Sequence, residues 1–483
     1  MNSKTVLSNF IWRLFERIGA QLVSVAVSIV LARILSPTDY GTVALMNVFI
    51  NILAVFIDAG FSSALVQKKD ADDTDFSTIF YFQMLVCICL YLLLFYCAPR
   101  IAAFYVRPEM TAMIRVLGIT FIISGIKSTQ TAYVSRNMMF KKFFFATLAG
   151  TIGAAFVGIG LAMKGFGAWA LIGQSLFNNT IDTIILWVTV KWRPQKKFSL
   201  QRLKGLFSYS WKLLISALLD TGYNNLRSLL IGKFYTSEDL AYYDKGKSWP
   251  NLVISNVNTS IDSVLLPSLS ASQDDPARVK AMTRRAIKTG TYVMAPLLMG
   301  LAFCGVPLVR LVLTEKWLPL VPFQRIFCIT FMFYPIHTAN LNAIKAMGRS
   351  DLFLKLEILK KLIGLGLLLI TLKISVMAMA YSLLASTVTA MIINSWPNRE
   401  LMNYSFPEQL KDILPGILLA VFMGACVYWF KYLSLPDPAI LLIQTLVGAA
   451  IYIGGSALFK LEAFTYIFDM TKQFMLRRKT SEL

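Results

Sequence analysis

The sequence predicts an all-α polytopic membrane protein with about fourteen transmembrane helices. The 483-residue chain is 56% hydrophobic and only 15% charged, whereas soluble domains carry about 25% charged residues. Apolar stretches long enough to cross a bilayer recur from one end of the chain to the other, and basic residues concentrate in alternate connections between them. These three observations place the whole chain in the membrane.

Each predicted helix is an apolar stretch of about 20 residues, the length that spans the hydrocarbon core. The eighth stretch is unusually polar, and the eleventh and twelfth adjoin each other. The stretches lie near residues 12–35, 41–66, 77–98, 112–133, 143–163, 168–190, 207–232, 242–267, 288–313, 320–344, 353–372, 374–396, 412–431 and 439–459.

The distribution of basic residues predicts the orientation of these helices. The chain has 47 Lys and Arg against 26 Asp and Glu, a balance that nucleic-acid-binding proteins also show. Here the excess lies in alternate connections, most clearly in 191–206, 268–287 and the C-terminal tail. Cytoplasmic loops retain Lys and Arg, so we expect both termini in the cytoplasm, an even number of spans and no nucleic-acid partner.

An internal repeat predicts two similar halves. The segment "RVLGITFIISGIKSTQ" (115–130) aligns without gaps on "RIFCITFMFYPIHTAN" (325–340), and the polar residues of the second span align on those of the eighth at a spacing of 204 residues. Six spans separate the copies, so the copies run parallel, as in transporters built from two bundles around a central site. We expect an N-lobe at 1–197, a C-lobe at 198–398, and two additional helices with a basic tail at 399–483.

Polar residues follow single faces of several spans. In "WKLLISALLDTGYNNLRSLLIG" (211–232), Lys212, Ser216, Asp220, Tyr223 and Arg227 share one helix face. The first, second, sixth and eighth spans carry similar stripes. Such residues avoid lipid and face protein or water. They predict a hydrated cavity between the lobes, and the alternative is hydrogen bonds and ion pairs between helices, such as an Asp220–Arg227 pair.

The charge of these stripes predicts an anionic cargo. Cations outnumber acids on the core spans, and the arginine fork matches phosphate oxygens. Arg13 and Lys212 could instead extend to the membrane interface, and His337, which titrates near neutral pH, could be a packing residue. The predicted substrate-binding residues are Arg13, Arg17, Lys127, Lys212, Arg227, Arg325 and His337, and the coupling or gating candidates are Asp58, Asp220 and Asp262.

The sequence lacks the complete motifs of nucleotide-binding and metal-binding sites. Gly246-Lys247-Ser248 resembles the end of a phosphate-binding loop, but Ala241 stands where that loop needs glycine. The six cysteines lie singly in apolar runs and fit a packing role. We therefore expect no catalytic residues, no metal and no cofactor.

Four segments carry a family resemblance. They are "ERIGAQLVSVAVSIVLARILSPTDYGTVAL" (16–45), "FIDAGFSSALVQKKD" (56–70), "AYYDKGKSWPNLV" (241–253) and "KAMGRSDLFLKLEILKK" (345–361). They resemble the Wzx-type polysaccharide transporters of the multidrug/oligosaccharidyl-lipid/polysaccharide flippase superfamily, and the similarity covers nearly the whole chain.

The resemblance implies two six-helix lobes, alternating access in a bacterial inner membrane, and an undecaprenyl-pyrophosphate-linked oligosaccharide as cargo. It implies that the protein is no enzyme, and that its partners are this cargo, membrane lipids and the polysaccharide polymerase machinery. Two alternatives stay open: a cationic multidrug exporter of the same superfamily, and a membrane-embedded polysaccharide polymerase or ligase. The cationic stripes count against the exporter, and the lack of a large external loop counts against the enzyme.

Overall fold

The computed structural model describes residues 3–58, 65, 68 and 70–481. These residues form nineteen α-helices and two short 3-10 helices, and no β-strand occurs among them. The chain divides into two compact units, Met1–Ala241 and Tyr242–Leu483. This all-helical architecture confirms the predicted fold class.

The first unit contains eight helices and the start of a ninth. They are α1 (Ser3–Ile34), α2 (Pro37–Asp58), α3 (Asp73–Phe104), α4 (Met110–Leu117), α5 (Ile119–Arg136), α6 (Phe140–Met163), α7 (Ala168–Thr189), α8 (Leu200–Phe234) and α9 (Ser237–Ser270). The tightest packing joins α6 to α7, where glycines of α6 let the helices approach closely. A Cβ at Gly150 would lie 2.9 Å from Oδ1 of Asn178, and one at Gly158 would lie 3.0 Å from Cβ of Gln174. Small residues in this role are typical of helix pairs in membranes.

The basic start of α8 is fixed to the N-terminus of α3. Asp72 caps α3 by accepting hydrogen bonds from the backbone of Thr74 and Asp75, and it also bonds Arg202. This guanidinium holds the pKa of the Asp72 carboxyl well below its usual range. Buried Asp75 pairs with Lys68 at 2.7 Å. Some of the charges that predict topology are therefore also structural.

The second unit begins within α9 and contains ten further α-helices. They are α10 (Pro276–Phe303), α11 (Gly305–Leu313), α12 (Val321–Met332), α13 (Tyr334–Ala346), α14 (Ser350–Thr371), α15 (Val376–Ser395), α16 (Asn398–Met402), α17 (Phe406–Tyr428), α18 (Asp437–Leu458) and α19 (Glu462–Ser481), with 3-10 turns at Glu315–Leu320 and Trp429–Tyr432. Helix α10 is central, because α12, α13, α17 and α19 all pack against it.

The helices agree with the predicted spans at most positions. The polar eighth span is one continuous helix, α9, and the eleventh and twelfth are separate helices because Ser375 caps α15. The predicted ninth span, 288–313, is wrong in its bounds: α10 runs from Pro276 to Phe303, and α11 is a separate short helix. Helix α19 lies beyond the last predicted span, in the segment predicted as a basic tail.

Apolar length alone identifies fewer spans than the pattern predicts. Among the described residues, nine helices are long and apolar enough to cross a membrane, and Gly19–Ile34 is a shorter apolar helix. The predicted spans outside this set are α1, α7, α8, α9 and α14, four of which carry the polar stripes. The count of fourteen is consistent with these helices and stays a prediction.

Local contacts at the starts of α2 and α9 repeat each other. Ser36 and Asp39 bond reciprocally at the start of α2, and Thr236 and Asp239 do the same at the start of α9. These motifs are 200 residues apart, four fewer than the spacing in the sequence alignment. Four residues are about one helical turn, so the polar faces remain in line.

The arginines of the repeated segment also make matching contacts. Arg115 donates from Nε to the Phe95 carbonyl at 3.3 Å and lies over the Phe95 ring. Arg325 donates from Nε to the Ala302 carbonyl at 3.2 Å, and its guanidinium lies over Tyr428. Each arginine thus ties its helix to the end of the preceding long helix. This match supports the repeat read from the sequence.

Candidate functional site

Among the described residues, one buried arginine on the polar faces of the first unit has unused hydrogen-bonding capacity. Arg227 lies on α8 and is only 7% exposed. Its Nε and Nη2 atoms are buried and have no hydrogen-bond partner. Buried polar groups are nearly always bonded, so these two nitrogens are an exception among the described residues.

Lys127 has a partner. Its Nζ on α5 lies 2.8 Å from Oδ2 of Asp182 on α7, and both side chains are mostly buried. The second carboxylate oxygen of Asp182 and Oδ1 of Asn178 are buried without partners. The structure therefore places Lys127 in a polar cluster with two free acceptor atoms. Asp182 was visible in the sixth polar stripe, but no sequence signal paired it with Lys127.

The other predicted residues of the first unit differ in environment. Lys212 is exposed, with Nζ 6.0 Å from the Trp211 ring centre, as expected of a lysine that extends to an interface. Asp220 is exposed and accepts a hydrogen bond from Nδ2 of Asn224 at 3.2 Å. Arg13 and Arg17 on α1 and Asp58 at the end of α2 have side chains outside the described part of the structure.

In the second unit, Asp262 and His337 lie near polar partners. Asp262 accepts a hydrogen bond from Nδ2 of Asn342 at 2.7 Å. It lines a polar pocket of about 230 Å³ between α9 and α13, together with Asn258, Thr338 and Lys345. The His337 Nδ1 atom lies 3.1 Å from Nδ2 of Asn394, and its Nε2 atom is buried without a partner.

Among the predicted site residues, Arg325 has the contacts most typical of a residue that joins helices. Its Nε bonds the Ala302 carbonyl, as Arg115 bonds the Phe95 carbonyl in the first unit. Its ring contact is with Tyr428 of α17, whereas that of Arg115 is with Phe95 of α3. These contacts favour a role in joining helices. Its assignment to a cavity, like that of the other residues, stays a prediction.

No group of three or more His, Cys, Asp or Glu side chains that could hold a metal ion occurs among the described residues. The arrangement instead provides separate cations, carboxylates and amides on helix faces. Such groups can hold a hydrated anionic or sugar ligand through hydrogen bonds.

Comparison with known proteins places these features in a family. Residues 30–322 match the family described as polysaccharide biosynthesis protein. The teichuronic acid biosynthesis protein TuaB of Bacillus subtilis is 24% identical over 93% of this chain and 95% of its own length. The lipopolysaccharide biosynthesis protein WzxC of Escherichia coli is 21% identical over 71% of this chain and 70% of its own length.

Solved structures share the fold. The lipid II flippase MurJ, in an inward closed conformation, superposes with a TM-score of 0.74 at 16% identity, over 94% of this chain and 98% of that chain. An inward-facing multidrug resistance transporter of the MATE family gives 0.64 at 15% identity, over 81% of this chain and 98% of that chain. The chain is thus a multi-pass membrane protein that belongs to the polysaccharide biosynthesis protein family.

Proposed function

We propose that this protein is a flippase that moves oligosaccharide repeat units, linked to undecaprenyl pyrophosphate, across the bacterial inner membrane for the synthesis of a surface polysaccharide. The family match, the polysaccharide biosynthesis relatives and the flippase fold support translocation of a lipid-linked oligosaccharide. The observation that carries the pyrophosphate part is Arg227, with two buried nitrogens that lack partners.

Moving a pyrophosphate head group through hydrocarbon is unfavourable. Even one ionised side chain at mid-membrane costs roughly 2.5–3.5 kcal/mol on insertion scales. A protein lowers this cost by replacing water with fixed donors. A guanidinium offers two parallel N–H groups to phosphate oxygens, and Arg227 holds such donors in a buried position. Lys127, paired with Asp182, adds a second cation to the proposed cationic cavity.

The function is tested in cells that lack this gene. Such cells should lose the surface polysaccharide and accumulate the lipid-linked repeat unit on the cytoplasmic face, and the gene should restore export. Purified protein supplied with labelled activated sugar should form no glycosidic bond, because we propose a transporter and not a polymerase. Sugar incorporation by the purified protein would favour the enzyme alternative, and energy-dependent extrusion of cationic dyes would favour the exporter.

We also propose that transport proceeds by alternating access and that the start of α9 moves against α2. In the first unit, Ser237 lies so close to α2 that a Cβ on Gly41 would be 1.8 Å from the Ser237 carbonyl oxygen. Thr38 bonds Glu238 at 3.0 Å, and the hydroxyls of Thr42 and Ser237 are 3.5 Å apart. Opening on this side would separate these contacts.

A cysteine pair at Thr42 and Ser237 should therefore form a disulfide and stop export. The expected result is loss of surface polysaccharide under oxidation and recovery with a reductant, because the bond prevents the two helices from separating. Each single cysteine variant is the control and should export normally. Full export by the cross-linked protein would mean that α2 and the start of α9 move as one body.

The chain is a multi-pass protein of the inner membrane, and we propose that both of its termini are cytoplasmic. In a background without native cysteines, an impermeant thiol reagent applied to whole cells should label Lys164→Cys and not Lys196→Cys. Both side chains are exposed, in connections α6–α7 and α7–α8. Permeabilised cells should show labelling of both. The reverse pattern in whole cells would invert the orientation.

The carboxylates Asp58, Asp220 and Asp262 are our proposed coupling or gating residues. Asp262 has the best-defined surroundings of the three, because amide and hydroxyl groups of α9 and α13 line its pocket. A carboxylate in such a pocket can exchange a proton or a cation as the pocket opens and closes.

Polysaccharide polymerase machinery is a proposed partner on the side where the cargo is released.

A further inference from the structure

We propose that a groove in the second unit binds an anionic phospholipid of the bilayer, with one acyl chain in the groove and the phosphate on Arg285. The groove lies between α9, α10 and the start of α19, and its volume is about 660 Å³. This volume is typical of small-molecule sites, which range over about 300–1,000 Å³. This lipid site does not depend on the proposed cargo.

The lining of the groove suits a hydrocarbon chain. Val264 of α9 and Val293 of α10 contribute exposed apolar side chains, 67% and 36% exposed. The polar residues that line α9 use their donors on their own helix: Asn256 bonds the Leu252 carbonyl at 2.8 Å, Ser260 bonds Asn256 at 2.8 Å, and Ser268 bonds Val264 at 2.7 Å. A chain in the groove would thus leave these three hydrogen bonds intact.

The length of the groove fits one leaflet. Its lining runs from residue 256 to 268 on α9 and from 282 to 293 on α10. At 1.5 Å per residue this is about 17 Å, close to half of the roughly 30 Å hydrocarbon core. A single acyl chain of one leaflet matches this length, whereas a chain that crosses the core would extend well beyond it.

The charge at one end of the groove is available for a phosphate. Three nearby cations of α10 have carboxylate partners: Lys280 pairs with Glu408, Arg284 with Asp412, and Lys288 with Asp412 and Glu462. Arg285, which lines the groove, has no carboxylate partner within the part of the chain that the structure describes. Its guanidinium lies 4.6 Å from the ring centre of Tyr466 on α19.

These features together define a lipid with a negative head and an apolar chain. The Arg285 guanidinium lies over the Tyr466 ring at the mouth of the groove, a contact that arginine forms readily and that leaves its N–H groups available to a phosphate. The apolar lining then continues from Arg285 along α10. A zwitterionic lipid would offer the same phosphate together with an ammonium group that Arg285 repels, so the site favours anionic lipids.

The test is lipid binding to the purified full-length protein, measured by native mass spectrometry with added phosphatidylglycerol or phosphatidylethanolamine. The wild type should prefer phosphatidylglycerol. Arg285→Gln should weaken phosphatidylglycerol binding about tenfold or more, the loss expected for a charge-assisted bond to phosphate, and should remove the preference. Ala286→Phe, which fills the groove, should weaken the binding of both lipids. Arg349→Gln, which changes an exposed arginine just before α14 and outside the groove, is the matched control.

Melting temperatures in lipid-free detergent should be equal for the four proteins, which separates lost binding from lost folding. Equal phosphatidylglycerol binding by wild type, Arg285→Gln and Ala286→Phe would overturn the proposal. Undecaprenyl phosphate should not displace phosphatidylglycerol, and displacement would assign the groove to the carrier lipid instead. Surface polysaccharide export by Arg285→Gln decides separately whether the cargo route is intact.

Discussion

Replacing Arg227 by alanine should abolish surface polysaccharide while leaving the protein at its normal level in the membrane. Two nitrogens of this buried guanidinium lack partners, and a buried polar group without a partner costs folding free energy. The substitution should therefore leave the melting temperature of the purified protein unchanged or raise it. Loss of activity without loss of stability is the expected sign of a residue kept for its ligand.

The size of the effect follows from the bonds lost. A hydrogen bond to a charged group contributes about 1.5–3 kcal/mol, and each 1.4 kcal/mol is about tenfold in affinity. Two bonds to a pyrophosphate thus predict at least a hundredfold weaker head-group binding. Arg227→Lys should recover part of the export, because a lysine keeps the charge but loses the bidentate geometry.

Lys233→Ala is the matched control, because this cation lies on the same helix but bonds the Phe104 carbonyl and lies 4.1 Å from the Phe104 ring centre. It should leave export near normal. Lys127→Ala is a less clean test than Arg227→Ala, since it leaves Asp182 without its counter-ion. Normal export by Arg227→Ala would show that the guanidinium has no role in cargo transport.

Replacing Asp412 by alanine should remove most of the folded protein from the membrane. The Asp412 side chain is 7% exposed and lies at the centre of the contact between α17 and α10. It accepts two hydrogen bonds from Arg284 at 2.8 Å, one from the hydroxyl of Tyr404 at 2.8 Å, and an ion pair from Lys288 at 3.1 Å. Its loss leaves several donors without an acceptor. Breaking a buried pair from one side costs about 3–5 kcal/mol. Because Arg284 is 42% exposed whereas Lys288 and Asp412 are mostly buried, we expect a loss near the lower end of this range, still a large part of the stability of most domains.

The measurement is the amount of monodisperse protein extracted from membranes and its melting temperature. Asp412→Glu should retain part of both, because the carboxylate remains but its position shifts. Asp437→Ala is the control: Asp437 approaches half-exposed Arg310 only at 3.5 Å, and such surface pairs contribute about 0–1 kcal/mol. Equal yields for Asp412→Ala and wild type would mean that α17 does not depend on this contact.

A large part of the fold is readable from the sequence. Apolar stretches of about 20 residues define the spans, because a helix in lipid must form all of its backbone hydrogen bonds internally. The polar stripes on α8 and α9 are readable for a similar reason, since spacing of three and four residues places side chains on one face. The repeat is readable from the alignment of two short segments, and the matching hydrogen bonds from Nε of Arg115 and Arg325 to backbone carbonyls agree with it.

The sequence predicts helix boundaries and ion-pair partners less well. The predicted ninth span starts too late because α10 begins in a basic, polar segment, where Lys280, Arg284 and Lys288 lower the hydropathy. From the sequence these residues were only topology signals. In the structure they pair with carboxylates of α17 and α19, which lie more than 100 residues later in the chain.

The sequence by itself determined that this chain is a helical membrane protein with polar faces on particular helices and a cationic excess among them. Only the tertiary structure decided which of those cations is neutralised. Lys127 pairs with Asp182 because α5 packs on α7, whereas Arg227 is buried without hydrogen-bond partners at two of its nitrogens. Periodicity is a local property of 3.6 residues per turn, but an ion pair requires two distant helices to approach each other. That approach depends on the volumes of all the side chains between them, which no single stretch of sequence contains.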